Sequence, residues 1–107
     1  MKVFIKRKNG SIDATAEYNV VTKECIVLKG STVSLEIAHS EKFRGAASIE
    51  KARDGVVIDG KLIKDTKFKS ASTAANFVTG TSTNGLVAWK NKDGKTIKDI
   101  LKEESND

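Results

Sequence analysis

The chain has 107 residues, of which 38% are hydrophobic, and therefore predicts one domain with a small core. It contains no apolar run near the about 18 residues of a membrane span, and its first residues turn basic too soon for a signal peptide. These features argue against membrane contact and favour a cytoplasmic protein. The net charge of +5 favours a polyanionic partner, although a lysine-rich face that only keeps the protein soluble explains it equally well.

The basic residues are unevenly distributed along the chain. Residues 41–90 carry nine Lys or Arg and five Asp or Glu, a local charge of +4, whereas residues 91–107 carry four and five, a local charge of −1. The single cysteine, Cys25, lies in an apolar stretch and has no partner for a disulfide within the chain. A buried, unreactive thiol in a reducing compartment is expected.

Residues 3–37 predict a four-stranded antiparallel β-meander. The stretch SIDATAEY alternates apolar and polar side chains, which is the period of a half-buried strand. Asn9-Gly10 separates it from KVFIKR, and this dipeptide accepts the positive φ angles of a tight hairpin turn. ECIVL and STVSLEI continue the pattern. In the last strand three apolar side chains are expected to share one face: Val33, Leu35 and Ile37.

Residues 41–68 predict a helix followed by a second hairpin. Residues 41–55 have a helix-forming composition that ends at Gly55. Residues 56–68 then have the pattern of two strands that turn at Asp59-Gly60. The narrow apolar stripe of the helix comprises Phe43, Ala46, Ala47 and Ile49.

The next helix has the clearer periodicity. Ser70 is its expected N-cap and Gly80 its expected end. Its apolar side chains recur at helical spacing: Ala71, Ala74, Ala75 and Val78.

The C-terminal part predicts a strand, a turn and a closing segment. Residues 85–91 are expected to form the strand, with Val87 and Trp89 on one face, and Asp93-Gly94 the turn. Residues 96–102 complete a single α+β domain over residues 1–102, and residues 103–107 are predicted to be a disordered tail. The closing segment has three apolar side chains on one face: Ile97, Ile100 and Leu101.

No arrangement typical of an enzyme is found in the sequence. His39 is the only histidine, and no His and Cys residues have the spacing of metal ligands. The glycine dipeptides are typical of turns, and the sequence has neither a phosphate-binding loop nor a dinucleotide fingerprint. A protein without catalytic residues, cofactor or metal is therefore expected.

The stretch FKSASTAANFVTGTSTNGLVAWK, residues 68–90, resembles the signature of an uncharacterised bacterial domain, number 4357 in the series of domains of unknown function. That signature has the approximate pattern F-x-S-P-S-x-A-A-x-x-V-x-G-x-S-x-N-G-W-x-x-W-K. The upstream stretch IVLKGS is similar to a V-L-K-G-S segment of the same family, so the resemblance covers residues 12 to 90. The matching residues are Phe68, Ser70, Ser72, Ala74, Ala75, Val78, Gly80, Ser82, Asn84, Gly85, Trp89 and Lys90.

The resemblance implies a role in DNA transactions. Domains of this family are often fused behind GIY-YIG nuclease domains, and the S-x-S-x-A-A and N-G-x-x-x-W elements are similar to the RAMA domain of restriction and methylation systems. No GIY-YIG segment precedes the domain in this sequence, so the resemblance implies the accessory module without the nuclease. Two positions depart from the pattern: Ala71 replaces a proline, and Leu86 replaces an aromatic residue that could stack on a base.

The candidate binding surface is a basic face around residues 61–90. Ser70 and Ser72 lie at a helix start, where unpaired N–H groups, hydroxyls and nearby ammonium groups can hold an anion. Asn84 is either a turn residue or a DNA contact, and Trp89 is either a core residue or a platform for a base. Lys6 and Lys8, on the N-terminal hairpin, are expected to contribute much less. The candidate nucleic-acid-binding residues are Lys61, Lys64, Lys67, Lys69, Ser70, Ser72, Asn84, Trp89 and Lys90.

The sequence thus predicts a non-catalytic nucleic-acid-binding module, with DNA as the first choice of ligand. Two alternatives remain open. One is a module for protein interaction or self-association in which the lysines are only solvating and the sheet is the contact surface. The other is a binding site for a small anion at the start of the second helix.

Overall fold

A computed structural model describes residues 1–7, 10–37 and 46–105 of the protein and shows an α+β fold. Four strands form an antiparallel sheet in the order β1-β2-β3-β6, and β4 and β5 form a separate two-stranded hairpin. The strands are β1 (Lys2–Lys6), β2 (Asp13–Tyr18), β3 (Cys25–Val27), β4 (Val57–Ile58), β5 (Lys61–Leu62) and β6 (Thr66–Phe68). The helices are α1 (Ala46–Arg53), α2 (Ala71–Thr79), α3 (Gly85–Ala88) and α4 (Ile97–Ser105).

The two faces of the four-stranded sheet differ in chemistry. Val3 lies opposite Ala16, which lies opposite Val27, and all three side chains are buried on the inner face, where α2 packs against β3 and β6. Since side chains alternate along a strand, Lys2, Phe4 and Lys6 point to the other face, which we call the outer face. An antiparallel sheet with one buried and one solvated face is the arrangement predicted by the alternating pattern.

The meander has three strands in sequence rather than four, and the prediction for residues 31–37 was wrong. Within this segment only Thr32 forms bridges, to Asp13 and Lys61, and β6 takes the fourth place in the sheet. Val33 is fully buried, whereas the side chain of Leu35 is 79% exposed, so the apolar residues do not share a face. The chain leaves the sheet because the Ser34 N–H donates to the Val78 carbonyl at the end of α2.

The second hairpin turns at Asp59-Gly60, as predicted, with φ angles of 51° and 79°. It is shorter than predicted, because only β4 and β5 pair with each other. Residues Thr66–Phe68 pair with β3 in the main sheet, where Cys25 lies opposite Phe68. The second strand of the predicted hairpin, residues 61–68, is therefore divided between the two-stranded hairpin and the main sheet.

Helix α2 confirms the predicted caps. The Ser70 hydroxyl accepts a hydrogen bond from the Thr73 N–H at 3.1 Å, and Gly80 ends the helix with a φ of 76°. The predicted apolar residues Ala71, Ala74, Ala75 and Val78 are buried.

Helix α1 confirms part of its predicted stripe. Ala46 and Ile49 are buried, Ala47 is exposed, and Phe43 lies outside the described residues. The Arg53 guanidinium at the end of α1 donates to the Phe77 carbonyl of α2 and to the Ser34 carbonyl, and its burial lowers the pKa of this side chain. These hydrogen bonds connect α1 to α2 and to the segment after Val33.

Residues 85–88 form a single helical turn, α3, and not the predicted strand. The Asn84 carboxamide oxygen accepts the Leu86 N–H, which favours a helix start over a β-turn. Val87 is 46% exposed and Trp89 fully buried, so they do not share a face. Only from Trp89 onward is the chain extended, with Lys90 bridged to Phe4 of β1.

The closing segment is a helix, and it extends beyond residue 102, where the domain was predicted to end. Helix α4 continues to Ser105, so residues 103–105 are not part of a disordered tail, and residues 106–107 lie outside the described part of the chain. An ion pair between Lys95 and Glu103, at 2.9 Å, connects the helix to the preceding turn and raises the pKa of Lys95. Ile97 is buried, and Ile100 and Leu101 are half-buried.

We expect Gly85→Ala to lower the free energy of unfolding by about 1–3 kcal/mol, the usual cost of overpacking. A Cβ at Gly85 would overlap the Ala71 carbonyl and the Ser72 nitrogen, and no positive φ is involved. Gly94→Asn is the control, because Gly94 has a φ of 82° and open space around it. Asn tolerates that conformation, so the control should change stability by less than about 0.5 kcal/mol in urea unfolding. Equal losses for the two variants would contradict the packing argument.

Cys25 provides a second prediction, because burial raises the pKa of its thiol to about 12. The thiolate is the reacting species, so at pH 8 native protein should be alkylated by iodoacetamide far more slowly than protein unfolded in urea. Because the folded state holds this proton more tightly, the contribution of Cys25 to stability is present below about pH 8.5 and is lost as the pH rises toward 12. Equal alkylation rates for folded and unfolded chain would show that the thiol is accessible.

Candidate nucleic-acid interface

The structure assigns both candidate serines to internal hydrogen bonds. Ser70 caps α2, and its hydroxyl also contacts the Thr73 hydroxyl at 3.0 Å. The Ser72 hydroxyl accepts the Gly85 N–H at 3.0 Å and thereby joins the first turn of α2 to the start of α3. The second serine, which a single cap does not explain, thus has a structural partner thirteen residues along the chain.

Asn84 and Trp89 also have structural roles. Asn84 is the N-cap of α3, and its carboxamide oxygen is committed to the Leu86 N–H. Trp89 is fully buried, and its indole N–H donates to the Ala71 carbonyl at 3.0 Å. Trp89 is therefore the core residue of the two alternatives, because a ring without exposed surface cannot stack on a base.

The five candidate lysines are exposed, but they do not all lie together. Lys67 forms an ion pair with Glu24 at 3.0 Å on the outer face, at the β6 edge of the sheet. Lys90 lies beyond β1, at the opposite edge. Four inter-strand spacings separate them, roughly 19 Å. The other three lie on the β4–β5 side of the molecule or next to the Ser70 cap: Lys61, Lys64 and Lys69.

A different basic cluster forms where Lys90 meets β1. The Phe4 N–H donates to the Lys90 carbonyl at 2.7 Å and the Lys90 N–H donates to the Phe4 carbonyl at 3.0 Å, so the two residues lie directly opposite each other. Residues that oppose each other in this way have side chains on the same face. We call the group on this edge of the outer face the Phe4 cluster. Its members are Lys2, Phe4, Lys6, Lys90, Asn91 and Lys92.

Phe4 lines two grooves in this cluster. One groove, of about 380 Å³, is lined by Lys6, Lys90 and Gly94 in addition to the residues that both grooves share. The other, of about 320 Å³, is lined in addition by Lys2 and Asp93. The shared lining residues are Phe4, Asn91 and Lys92. Both volumes fall in the range of small-ligand sites, and Phe4, which is half-buried, lines both grooves.

The cluster is positively charged at the β1 edge, and it is bounded by carboxylates on β2 and by Asp93 beside Lys2. In the described part of the chain, none of its four lysines forms an ion pair. The Lys6 ammonium lies over the Phe4 ring, 5.3 Å from its centroid, in a cation–π contact. Asp13 lies opposite Lys6 and Glu17 opposite Lys2, so the sign of the charge changes from β1 to β2.

Asn91 has a fixed orientation in this cluster. Its carboxamide oxygen accepts the N–H groups of Asp93 at 2.9 Å and Lys95 at 3.0 Å, which forms the turn that includes Gly94. With the oxygen committed, the amide nitrogen is the group that Asn91 can offer to a ligand.

Sequence reasoning missed the Phe4 cluster because its two halves are more than eighty residues apart. The local signal was present in KVFIK, where alternation places a lysine, an aromatic ring and another lysine on one strand face. Only the pairing of Phe4 with Lys90 shows that further lysines join them.

The described residues contain neither a metal-binding group nor a membrane-spanning helix. No group of three or more His, Cys, Asp or Glu side chains is arranged to hold a metal ion in the described ranges. The helices of these ranges are all too short or too polar to cross a membrane. His39 lies outside the described residues.

The comparison with protein families identifies the family of the chain. The model described as "Domain of unknown function (DUF4357)" matches residues 4–101, nearly the whole chain. The protein belongs to this family. No curated protein and no solved structure shows significant similarity to the chain. The matched range of this DUF4357 domain includes Phe4, Lys6, Lys90, Asn91 and Lys92, so both halves of the cluster lie within the family domain.

In this DUF4357 domain we expect Ser72→Ala to lower the free energy of unfolding by about 1–3 kcal/mol, because the Gly85 N–H would lose its partner in a buried position. Ser82→Ala is the matched control. Ser82 is exposed, so the control should change stability by less than about 0.5 kcal/mol. Thermal unfolding of both variants provides the measurement. A Ser72 variant as stable as the control would mean that the hydrogen bond between α2 and α3 contributes nothing to the free energy of unfolding.

Proposed function

We propose that this DUF4357 domain is a non-catalytic, cytoplasmic nucleic-acid-binding module, with DNA as its first ligand, and that it binds through the Phe4 cluster. The observation that carries the proposal is a partly exposed aromatic ring surrounded by four lysines that form no ion pair within the described residues. Ammonium groups supply charge for phosphate, and the ring supplies a flat apolar surface for a base.

The position of the cluster supports this proposal. It lies on the outer face, so a long ligand can cross it without meeting α2, which packs on the inner face. Release of counterions from the phosphate backbone is the main source of affinity for such a surface. The resemblance of residues 68–90 to a domain fused to GIY-YIG nucleases gives independent support for an accessory role in DNA transactions.

The proposed site is not the face around residues 61–72 that the sequence favoured. Ser70 and Ser72 are committed to hydrogen bonds within the protein, and Lys67 is paired with Glu24. Lys90 is the one candidate from the sequence that belongs to the Phe4 cluster. Lys6, which was expected to contribute little to binding, is a principal DNA contact in this proposal. Lys8 lies outside the described residues.

A second candidate function, protein interaction, is favoured by a separate apolar patch. Leu35 is 79% and Ile58 57% exposed, and Leu35 lines a groove of about 480 Å³ together with Asp59 and Gly60. Single exposed apolar residues are common, so this patch carries less weight than the cluster. Self-association that Leu35→Ser abolishes, measured by sedimentation and insensitive to salt, would favour this candidate.

We expect the double variant Lys90→Gln/Lys92→Gln to bind DNA more weakly. Each phosphate contact contributes about −0.9 for duplex or −0.7 for single strands to the slope of log K against log salt. Loss of two contacts should therefore flatten the slope by about 1.4–1.8 units in fluorescence anisotropy titrations. Both side chains are exposed, so the variant should unfold at the wild-type midpoint.

Lys64→Gln/Lys69→Gln is the matched control, since it removes the same charge from the face that the sequence favoured. It should bind almost as the wild type does. The proposed site is wrong if the control loses affinity and the Lys90/Lys92 variant does not. The proposed function is wrong if the wild type binds no DNA at low salt.

A further inference from the structure

We infer that the Phe4 cluster selects single-stranded over duplex nucleic acid by stacking an unpaired base on Phe4; this inference rests on the proposed function. The bases of a duplex are covered by their stacked neighbours, so an aromatic ring on a protein surface reaches their faces only in single strands. The outer face offers such a ring on a sheet, whereas direct reading of a duplex uses an element that enters a groove.

The Phe4 ring is covered by a movable group. The contact over the ring is the Lys6 ammonium, 5.3 Å from the ring centroid, at the end of a long and exposed side chain. The two grooves that Phe4 lines are open to solvent, and their other lining residues are the four lysines, Asn91, Asp93 and Gly94. A base can therefore take the place of the ammonium group over the ring, and Lys6 can then contact the adjacent phosphate.

The charges on the outer face define the path of the strand. Lys2 and Lys6 are four residues apart on β1, about 13 Å, with Phe4 between them. Asp13 and Glu17 on the neighbouring strand would repel phosphate, so the backbone cannot cross the sheet toward β3. The favourable path follows the β1 edge, between Lys2 and Lys6 on one side and Lys90 and Lys92 on the other.

Asn91 provides a hydrogen-bond donor next to the ring. Its oxygen is held by the turn, and its amide nitrogen is free to donate to a base or a phosphate oxygen. A single donor without a neighbouring acceptor distinguishes poorly between the bases. Binding should therefore depend only weakly on base identity. Stacking on Phe4 also accepts any base, because every base has a flat face.

The test compares three labelled ligands of equal length: a thymidine oligomer, the same oligomer with abasic sites, and a duplex. Wild-type protein should bind the thymidine oligomer at least about fivefold more tightly than either of the others, which corresponds to the loss of one base–aromatic stack. A uridine oligomer of the same length shows whether single-stranded DNA or RNA binds more tightly. Tighter binding of either single strand than of duplex supports the inference.

Two variants at Phe4 separate stacking from charge. Phe4→Leu should bind the thymidine oligomer at least about fivefold more weakly and should bind the abasic oligomer as the wild type does. Phe4→Trp should retain the preference for single strands, and its added fluorescence should be quenched by the thymidine oligomer. Trp89 has no exposed surface and remains a constant background, and its emission reports whether each variant is folded.

The outcomes distinguish the two proposals. If the duplex binds as tightly as the single strand, or Phe4→Leu binds both oligomers as the wild type does, the stacking inference is wrong. The proposed function survives that result when Lys90→Gln/Lys92→Gln still flattens the salt slope. If none of the four ligands binds, both proposals fail.

Discussion

The contact between Trp89 and the first turn of α2 is the constraint on which the rest of this structure depends. The indole N–H donates to the Ala71 carbonyl, and the ring is fully buried. Beside it, Gly85 lies so close to Ala71 that a side chain at that position would overlap the backbone. Burial of a large aromatic ring with a satisfied N–H stabilises both elements and leaves little freedom in the chain between them.

The position of Trp89 determines the direction in which the next side chains point. With Trp89 on the inner face, the following residue in an extended segment must point to the outer face. Lys90 is that residue, and its two hydrogen bonds with Phe4 extend the sheet beyond β1. The Phe4 cluster is thus a consequence of core packing, since the residue that closes the core also positions the lysines beside Phe4.

Several residues of the stretch 68–90 have structural roles around this contact. Ser70, Ser72, Asn84, Gly85 and Trp89 together hold α2, α3 and the extended segment in one arrangement. Residues with this many mutual contacts are constrained by packing, whatever the domain binds. The chemistry available to a ligand lies next to them, on the exposed face of the strands that they position.

Much of the local structure could be predicted from the sequence because its causes are local. The Ser70 and Gly80 caps of α2, the Asp59-Gly60 turn and the alternation in β2 depend on residues within a few positions of one another. The family could also be recognised from the resemblance of residues 68–90, and the match over residues 4–101 confirms it. The predictions that failed involved the choice between two local possibilities. Residues 31–37 and 85–88 have the composition of strands, and tertiary contacts decided otherwise.

The candidate site is the part that only the tertiary structure decided. The strand KVFIK by itself places two lysines and a phenylalanine on one face, but nothing in it indicates a partner. Lys90, Asn91 and Lys92 join it through backbone pairing across the whole length of the chain. Such pairing depends on where α2 and Trp89 pack, which is a property of the assembled core. The sequence by itself determined the caps, the turns and the net charge; the fold decided which of the charges lie together.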